Sequence, residues 1–311
     1  MTADLTLTVT GKTALTEDVV QLELSSTERK LPTWDAGAHI DLQCGSHLRT
    51  YSLCGDPDDH KHYRIAVLRE PSGRGGSAHV HDVLAIGDTV DVSLPRNHFR
   101  LADAQEYVFI AGGIGITPII PMIAAARSRG IPWSLYYGGR SRAAMAYVDE
   151  LSALGEMVEL FPQDECGPLP LSAILGAVVH DAKIFCCGPP ALLDAATKAS
   201  SHWPTNSLHI ERFIPKDIEE ATDYPFDVHL ARRGTTHHVP ADRSILDVLN
   251  DAGVNVPTSC GVGTCGTCEL AVVAGTPEHR DSVLTLDEQA EGQYMMPCVS
   301  RSATTTLTLD L

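Results

Sequence analysis

No run of about 18 consecutive apolar residues occurs in the 311-residue chain, so no membrane-crossing helix is expected. The first residues, Met1-Thr-Ala-Asp-Leu, lack the basic flank and apolar stretch of a secretory signal, and a cytoplasmic location is expected. Positive charge is scarce: 23 Lys and Arg face 40 Asp and Glu, for a formal net charge of −17. That balance excludes nucleic acid and anionic lipid surfaces as expected partners. It suits docking on a basic patch of another protein, or solubility alone. The chain also lacks the two separate C-x2-C pairs of a usual structural zinc site, and its glycine turn at 112–118 departs from G-x-G-x-x-G, with Pro118 in the third glycine position.

What is present is unevenly placed. Of nine cysteines, three fall in "SCGVGTCGTC" (259–268) and a fourth, Cys298, lies thirty residues beyond Cys268. In a reducing compartment disulfides are not expected, and the scattered Cys44, Cys54, Cys166, Cys186 and Cys187 read mostly as small core hydrophobes. Cys260, Cys265 and Cys268 are spaced C-x4-C-x2-C, the plant-type [2Fe–2S] spacing, with Cys298 as the fourth ligand. Glycines between them let the backbone wrap an inorganic core closely and turn amide N–H groups towards sulfur. Around this loop, "ADRSILDVLNDAGVNVP" predicts a helix capped by Ser244 and stopped at Gly253. "FDVHLA", "HHVPA", "CELAVVAG" and "TTTLTLDL" read as strands.

A [2Fe–2S] centre of this type works near −400 mV and moves one electron at a time, so something upstream must divide an electron pair. "FIAGGIGITPIIPMI" is an apolar strand, a glycine turn (Gly112, Gly113, Gly115) and an apolar helix. Such a turn brings backbone N–H groups to a phosphate, although alone it could be a tight βα turn. "WSLYYGGR", "MVELFP" and "KIFCCGPPALLDAATKAS" repeat the alternation and predict a doubly wound parallel sheet over 103–213. Residues 1–102 instead carry short alternating runs separated by turns, with "GGSAHVHDVL" as the helical stretch, and predict a small antiparallel barrel.

With "RTYS" in the barrel, "GGIGITP" and "CCGPP" in the parallel sheet and the cysteine loop after them, nearly the whole chain resembles the phthalate dioxygenase reductase family, close to the vanillate demethylase reductases. The resemblance implies a multidomain architecture. An FMN-binding β-barrel (1–102) precedes an NAD(H)-binding α/β domain (103–213). A linker (214–225) then leads to a plant-type ferredoxin domain of α+β class (226–311). It implies that Arg49, Thr50, Tyr51 and Ser52 lie along the flavin, with Arg49 at its phosphate end and Tyr51 beside the ring. Ala66, Val67 and Leu68 run beside it, and Gly75, Gly76 and Ser77 form its phosphate loop. From the residues alone, "RTYSL" is an ordinary strand and the glycine loop an N-cap. Gly112, Gly113, Gly115, Thr117 and Pro118 match the NADH turn, with Thr117 near the flavin. Cys187, Gly188 and Pro189 match the motif beside the nicotinamide, and Phe213 the aromatic that closes on the flavin.

No acid or base residue is required for hydride transfer and none is nominated; His237 and His238 are assigned no metal. Arg140 and Arg142 follow the second strand and could favour NADPH, or simply be solvated; the resemblance favours NADH. Gly261 stands where the family often carries Glu, which leaves the ligands intact but could alter potential or docking. The implied activity divides the hydride pair of NADH into single electrons for a Rieske-type terminal oxygenase. The alternatives are an FAD-bearing reductase serving a cytochrome P450 or another acceptor, and a non-enzymatic redox sensor or carrier.

Overall fold

The structure is a computed structural model and describes residues 4–26, 29–216 and 223–311. It comprises two compact units, Thr2–Glu211 and Arg212–Leu311. Half of the expected linker, 217–222, lies outside the described residues.

The first unit begins with β1 (Leu5–Ala14), β2 (Val19–Ser25), β3 (His39–Cys44), β4 (His47–Ser52), β5 (His62–Leu68), helix α1 (Gly76–Asp82) and β6 (Thr89–Val92). Alternation drives these strands: in β1 Leu5, Leu7 and Val9 point inwards while Thr6 and Thr10 face solvent. The strands form one antiparallel sheet in the order β4-β3-β6-β1-β2-β5. A bridge between Leu53 and Ile65 brings the end of β4 to β5 and nearly closes the barrel.

Next come β7 (Glu106–Gly112), α2 (Ile116–Ser128), β8 (Trp133–Gly139), α3 (Val148–Ser152), β9 (Val158–Pro162), α4 (Gln163–Cys166), α5 (Leu171–Ile174), β10 (Ala182–Cys187), α6 (Pro190–Ala199) and β11 (Leu208–Glu211). All five strands pair in parallel, in the order β11-β10-β7-β8-β9. β7 is buried on both faces, which explains its unbroken apolar run. On one face Tyr107 and Phe109 pack with Ile119 and Met122 of α2; on the other Val108 and Ile110 pack with Leu193 of α6 and Trp203. The first of these cores also takes in Val19, Cys54 and Ala66 of the barrel, so barrel and parallel sheet share apolar packing. The strand order reverses between β7 and β10, and the crevice at their carboxyl ends is where such sheets bind ligands.

The second unit contains β12 (Phe226–Leu230), β13 (Thr235–Val239), α7 (Ile245–Asp251), β14 (Leu270–Ala274), β15 (Pro277–Glu278), α8 (Leu286–Glu291), β16 (Tyr294–Met295), β17 (Arg301–Ser302) and β18 (Thr306–Leu309). A mixed sheet runs β13-β12-β18-β14-β16, with β15 and β17 paired separately. Ser244 caps α7 by accepting from the amide of Asp247 at 3.1 Å, and Gly253 takes a left-handed φ of 74° just past its end. Ile245, Leu246 and Leu249 of α7 pack with Phe226, Val228 and Leu307 of the sheet.

Candidate functional site

The cysteine loop lies between α7 and β14. Cys265 and Cys268 are 3% exposed and Cys298 8%, with Cys260 half-buried. The thiols come as two pairs, Cys260 with Cys265 and Cys268 with Cys298, each sharing one hydrogen bond. The bond from Cys265 pulls Cys260 down to about 4, and that from Cys298 holds Cys268 below the usual thiol range. Their donors are pushed up in turn, first by that same bond and then by burial. Backbone amides reinforce the acceptors: Val262 and Thr264 donate to the sulfur of Cys260 at 3.3 and 3.4 Å. The Gly263 amide donates to Cys298. These donors require the chain to turn sharply. Gly261, Gly263 and Gly266 all adopt positive φ, and a Cβ on Gly263 would lie 2.5 Å from Val299 Cγ2. A Cβ at 261 would meet no atom, but glutamate there would be strained at a φ of 67°. Among the described residues no three His, Cys, Asp or Glu side chains gather where they could hold one metal ion. Four neighbouring sulfurs with amide donors, Cys260, Cys265, Cys268 and Cys298, are the residues that would hold a [2Fe–2S] cluster, which would supply one-electron transfer.

In the barrel, Arg49 lies against Gly76 at the start of α1, where a Cβ would fall 2.7 Å from Arg49 Cγ. Its Nη1 donates to Leu48 O at 2.7 Å, while Nη2 is buried without a hydrogen-bond partner. Gly75 turns into α1 with φ 96°, and Ser77 Oγ accepts from the Glu70 amide at 3.0 Å. A buried guanidinium fork with an unused donor beside a side-chain-free backbone fits a phosphate monoester. Tyr51 is half-buried and hydrogen-bonds Cys44, whose thiol burial pushes up to about 11. Thr50 points elsewhere: its hydroxyl donates to Asp41 at 2.7 Å, and Asp41 also pairs with Arg96 at 2.6 Å. Only the backbone of Thr50 is thus left for a ligand on the Arg49 face. Ser52, Ala66 and Val67 are buried and Leu68 half-buried; Val67 O lies 3.0 Å from His81 Nε2, which ties β5 to α1.

At the carboxyl ends of β7 and β10, three of the expected nucleotide glycines serve packing. A Cβ on Gly112 would lie 2.6 Å from Leu192 Cδ2, on Gly115 2.3 Å from the Cys187 carbonyl oxygen, and on Gly188 3.0 Å from Gly112 Cα. Gly113, with φ 54° and open space around it, is the one whose backbone faces a free volume. Thr117 is buried with its hydroxyl donating to Ile114 O at 2.9 Å, Pro118 is buried beside it, Pro189 precedes α6, and Arg140 is exposed after β8. Phe213 falls in the second unit and is 40% exposed.

Sequence reasoning missed Glu211. The parallel register places Glu211 opposite Cys187, and the Cys187 thiol donates to Glu211 Oε2 at 3.8 Å. Burial raises the Glu211 carboxyl to about 8 and pushes the Cys187 thiol well up, so both are neutral at pH 7. The available signal was an acid ending a short strand, Leu-His-Ile-Glu. A raised carboxyl keeps its proton in the folded chain after the unfolded chain has lost it. Stability should therefore fall as pH rises from 4.5 to about 8 and level off above, with a slope of at most ~1.4 kcal/mol per pH unit. Glu211→Gln has no proton to lose, so its stability relative to wild type should climb across that window; urea unfolding at several pH values checks this.

With these sites in view, comparison with known proteins is informative. Residues 228–303 match the 2Fe-2S iron-sulfur cluster binding domain. The chain is 45% identical to the phenoxybenzoate dioxygenase subunit beta of Ectopseudomonas oleovorans, covering 95% of this chain and 93% of that one. It is 39% identical to the phthalate dioxygenase reductase of Burkholderia cepacia, covering 99% and 97%. The chain belongs to the phthalate dioxygenase reductase family. Phthalate dioxygenase reductase itself, solved as a modular structure for electron transfer from pyridine nucleotides to [2Fe-2S], superposes with a TM-score of 0.71 at 38% identity, covering 99% of this chain and 98% of that one. An intact type IV self-sufficient cytochrome P450 monooxygenase superposes at 0.94 with 42% identity, covering 98% of this chain but only 41% of that longer one. This member of the phthalate dioxygenase reductase family is thus an oxidoreductase with the barrel, parallel sheet and ferredoxin-type fold expected from its sequence. No helix among the described residues is long and apolar enough to cross a membrane.

Proposed function

We propose that the chain is the NADH-dependent reductase component of a Rieske-type oxygenase or demethylase system, carrying FMN and a [2Fe–2S] cluster. The observation that carries this reading is the gathering of the cluster thiols in a chain that also holds a buried, unpartnered Nη2 of Arg49 beside Gly76. When bound, the flavin would take a hydride from the nicotinamide and release electrons singly towards the iron. The polypeptide's part is positional. Arg49, Gly75, Gly76 and Ser77 hold the flavin phosphate, and Tyr51, Ser52 and 66–68 flank the remainder together with the Thr50 backbone. Gly113 offers its backbone to the dinucleotide, while Gly112, Gly115 and Gly188 let the β7 and β10 turns close on each other. Cys187 and Glu211, both neutral, put no net charge at the ends of β10 and β11. Cys260, Cys265, Cys268 and Cys298 hold the cluster.

The phthalate dioxygenase reductase likeness supports a Rieske-type acceptor, whereas the fused P450 of similar sequence supports a P450 acceptor as a second reading. The purified holoprotein is expected to reduce cytochrome c rapidly with NADH and to release FMN on heating. FAD in the supernatant would favour the P450 reading, and no turnover at all would leave a redox sensor. Electron delivery to a purified Rieske oxygenase against a P450 decides the acceptor.

A further inference from the structure

Two turns leave the parallel sheet side by side at the carboxyl ends of β8 and β9, and each carries charge. After β8 come Arg140 and Arg142; after β9 come Asp164 and Glu165, in α4. The Asp164 amide donates to the Arg140 carbonyl at 3.2 Å, which fixes the second turn against the first. Arg142 is gripped at two points: its Nε donates to Glu165 Oε1 at 3.3 Å and its Nη2 to Oε2 at 3.2 Å. Both side chains stand at the surface, 50% and 51% exposed. An exposed pair of this kind adds little to stability. Its position gives it a different consequence.

In an open parallel sheet that binds a dinucleotide, the end of the strand next to the glycine-turn strand meets the adenosine ribose, and residues there separate a 2′-hydroxyl from a 2′-phosphate. β8 is that strand, paired directly to β7. A phosphate monoester carries about −1.5 to −2 charges at neutral pH and wants a free guanidinium fork. The two turns offer two cations already balanced by two anions, and the fork of Arg142 faces a carboxylate. A 2′-phosphate arriving there would have to displace Glu165 and then lie beside it and Asp164; a 2′-hydroxyl would meet neither cost.

We propose that Glu165 is the residue that sets the preference for the dinucleotide lacking a 2′-phosphate, by holding Arg142 in a two-pronged ion pair at the carboxyl end of β8. The proposal rests on the reading of the chain as an NADH-dependent reductase and adds how that choice is made.

The test uses the holoprotein and two readouts: the NADPH-to-NADH ratio of kcat/KM for cytochrome c reduction, and the affinity ratio of 2′,5′-ADP to 5′-ADP by titration calorimetry. Glu165→Gln should raise both ratios by about tenfold or more, since it frees the fork and removes a repelling charge. Adding Arg142→Ala to that variant should return both ratios to about their wild-type values. Ratios that stay within about twofold of wild type in Glu165→Gln, a gain that survives the loss of Arg142, or a wild-type protein that already favours NADPH each overturn the proposal. Wild-type protein that oxidises neither nucleotide would instead overturn the reductase reading, while the ADP ratios would still report on Glu165.

Discussion

Cys265→Ser is expected to abolish the visible absorbance and iron content of the second unit and to cut cytochrome c reduction by about 10²-fold or more, while ferricyanide reduction by NADH persists. The size of the effect follows from the site. Cys265 is 3% exposed and supplies the hydrogen bond that holds Cys260 low. A serine hydroxyl, far less acidic than a thiol, cannot give iron a comparable anionic ligand. Flavin reduction should survive because the barrel and parallel sheet share a core of their own, with Val19, Cys54 and Ala66 packed together with Phe109 and Phe185. Iron analysis, the visible spectrum and the two acceptor assays separate the outcomes. Loss of ferricyanide activity together with the cluster would show that the two units do not operate as modules.

What could be read from the sequence tracks how local each feature is. The cluster loop packs three ligands and their amide donors into nine residues, so spacing alone carries its chemistry, and the pairing adds only Cys298. The parallel sheet was legible for a similar reason: β7 is apolar from Tyr107 to Ala111 because both its faces are covered there. The flavin cradle was not legible without a family resemblance. Arg49 and Gly76 lie on different elements and meet only once the barrel closes. Thr50, one residue from Arg49, turns its hydroxyl to Asp41, and strand alternation sets neighbouring residues of the motif on opposite faces. The glycine turn gave the reverse lesson. Gly112 and Gly115 belong to the expected NADH turn and Gly188 to the motif beside the nicotinamide, and a Cβ on any of them would strike the neighbouring turn. Glu211 and Glu165 stayed silent because their partners, Cys187 and Arg142, are more than twenty residues away, being 24 and 23 positions distant.

Arg49→Ala should act with opposite sign on the flavin-free and the flavin-loaded protein. In the free chain Nη2 is buried without a partner beside Gly76. Such an orphan costs about 1–3 kcal/mol, and alanine removes it along with the buried charge. The apoprotein should therefore melt no lower than wild type, even though packing by the side chain's stem is lost. With flavin the guanidinium gains the phosphate it lacks, and truncating one member of a buried, hydrogen-bonded charge pair costs about 2–5 kcal/mol. Flavin affinity should accordingly fall by roughly 10²-fold or more, and the variant should purify without its yellow colour. Arg49→Lys keeps the charge but loses the planar fork, and should fall between the two. Thermal unfolding of deflavinated protein together with fluorescence titration of FMN measures both signs. An apoprotein destabilised by several degrees with unchanged FMN affinity would mean that Arg49 is a packing residue of the barrel, and the phosphate end of the flavin would have to be sought elsewhere.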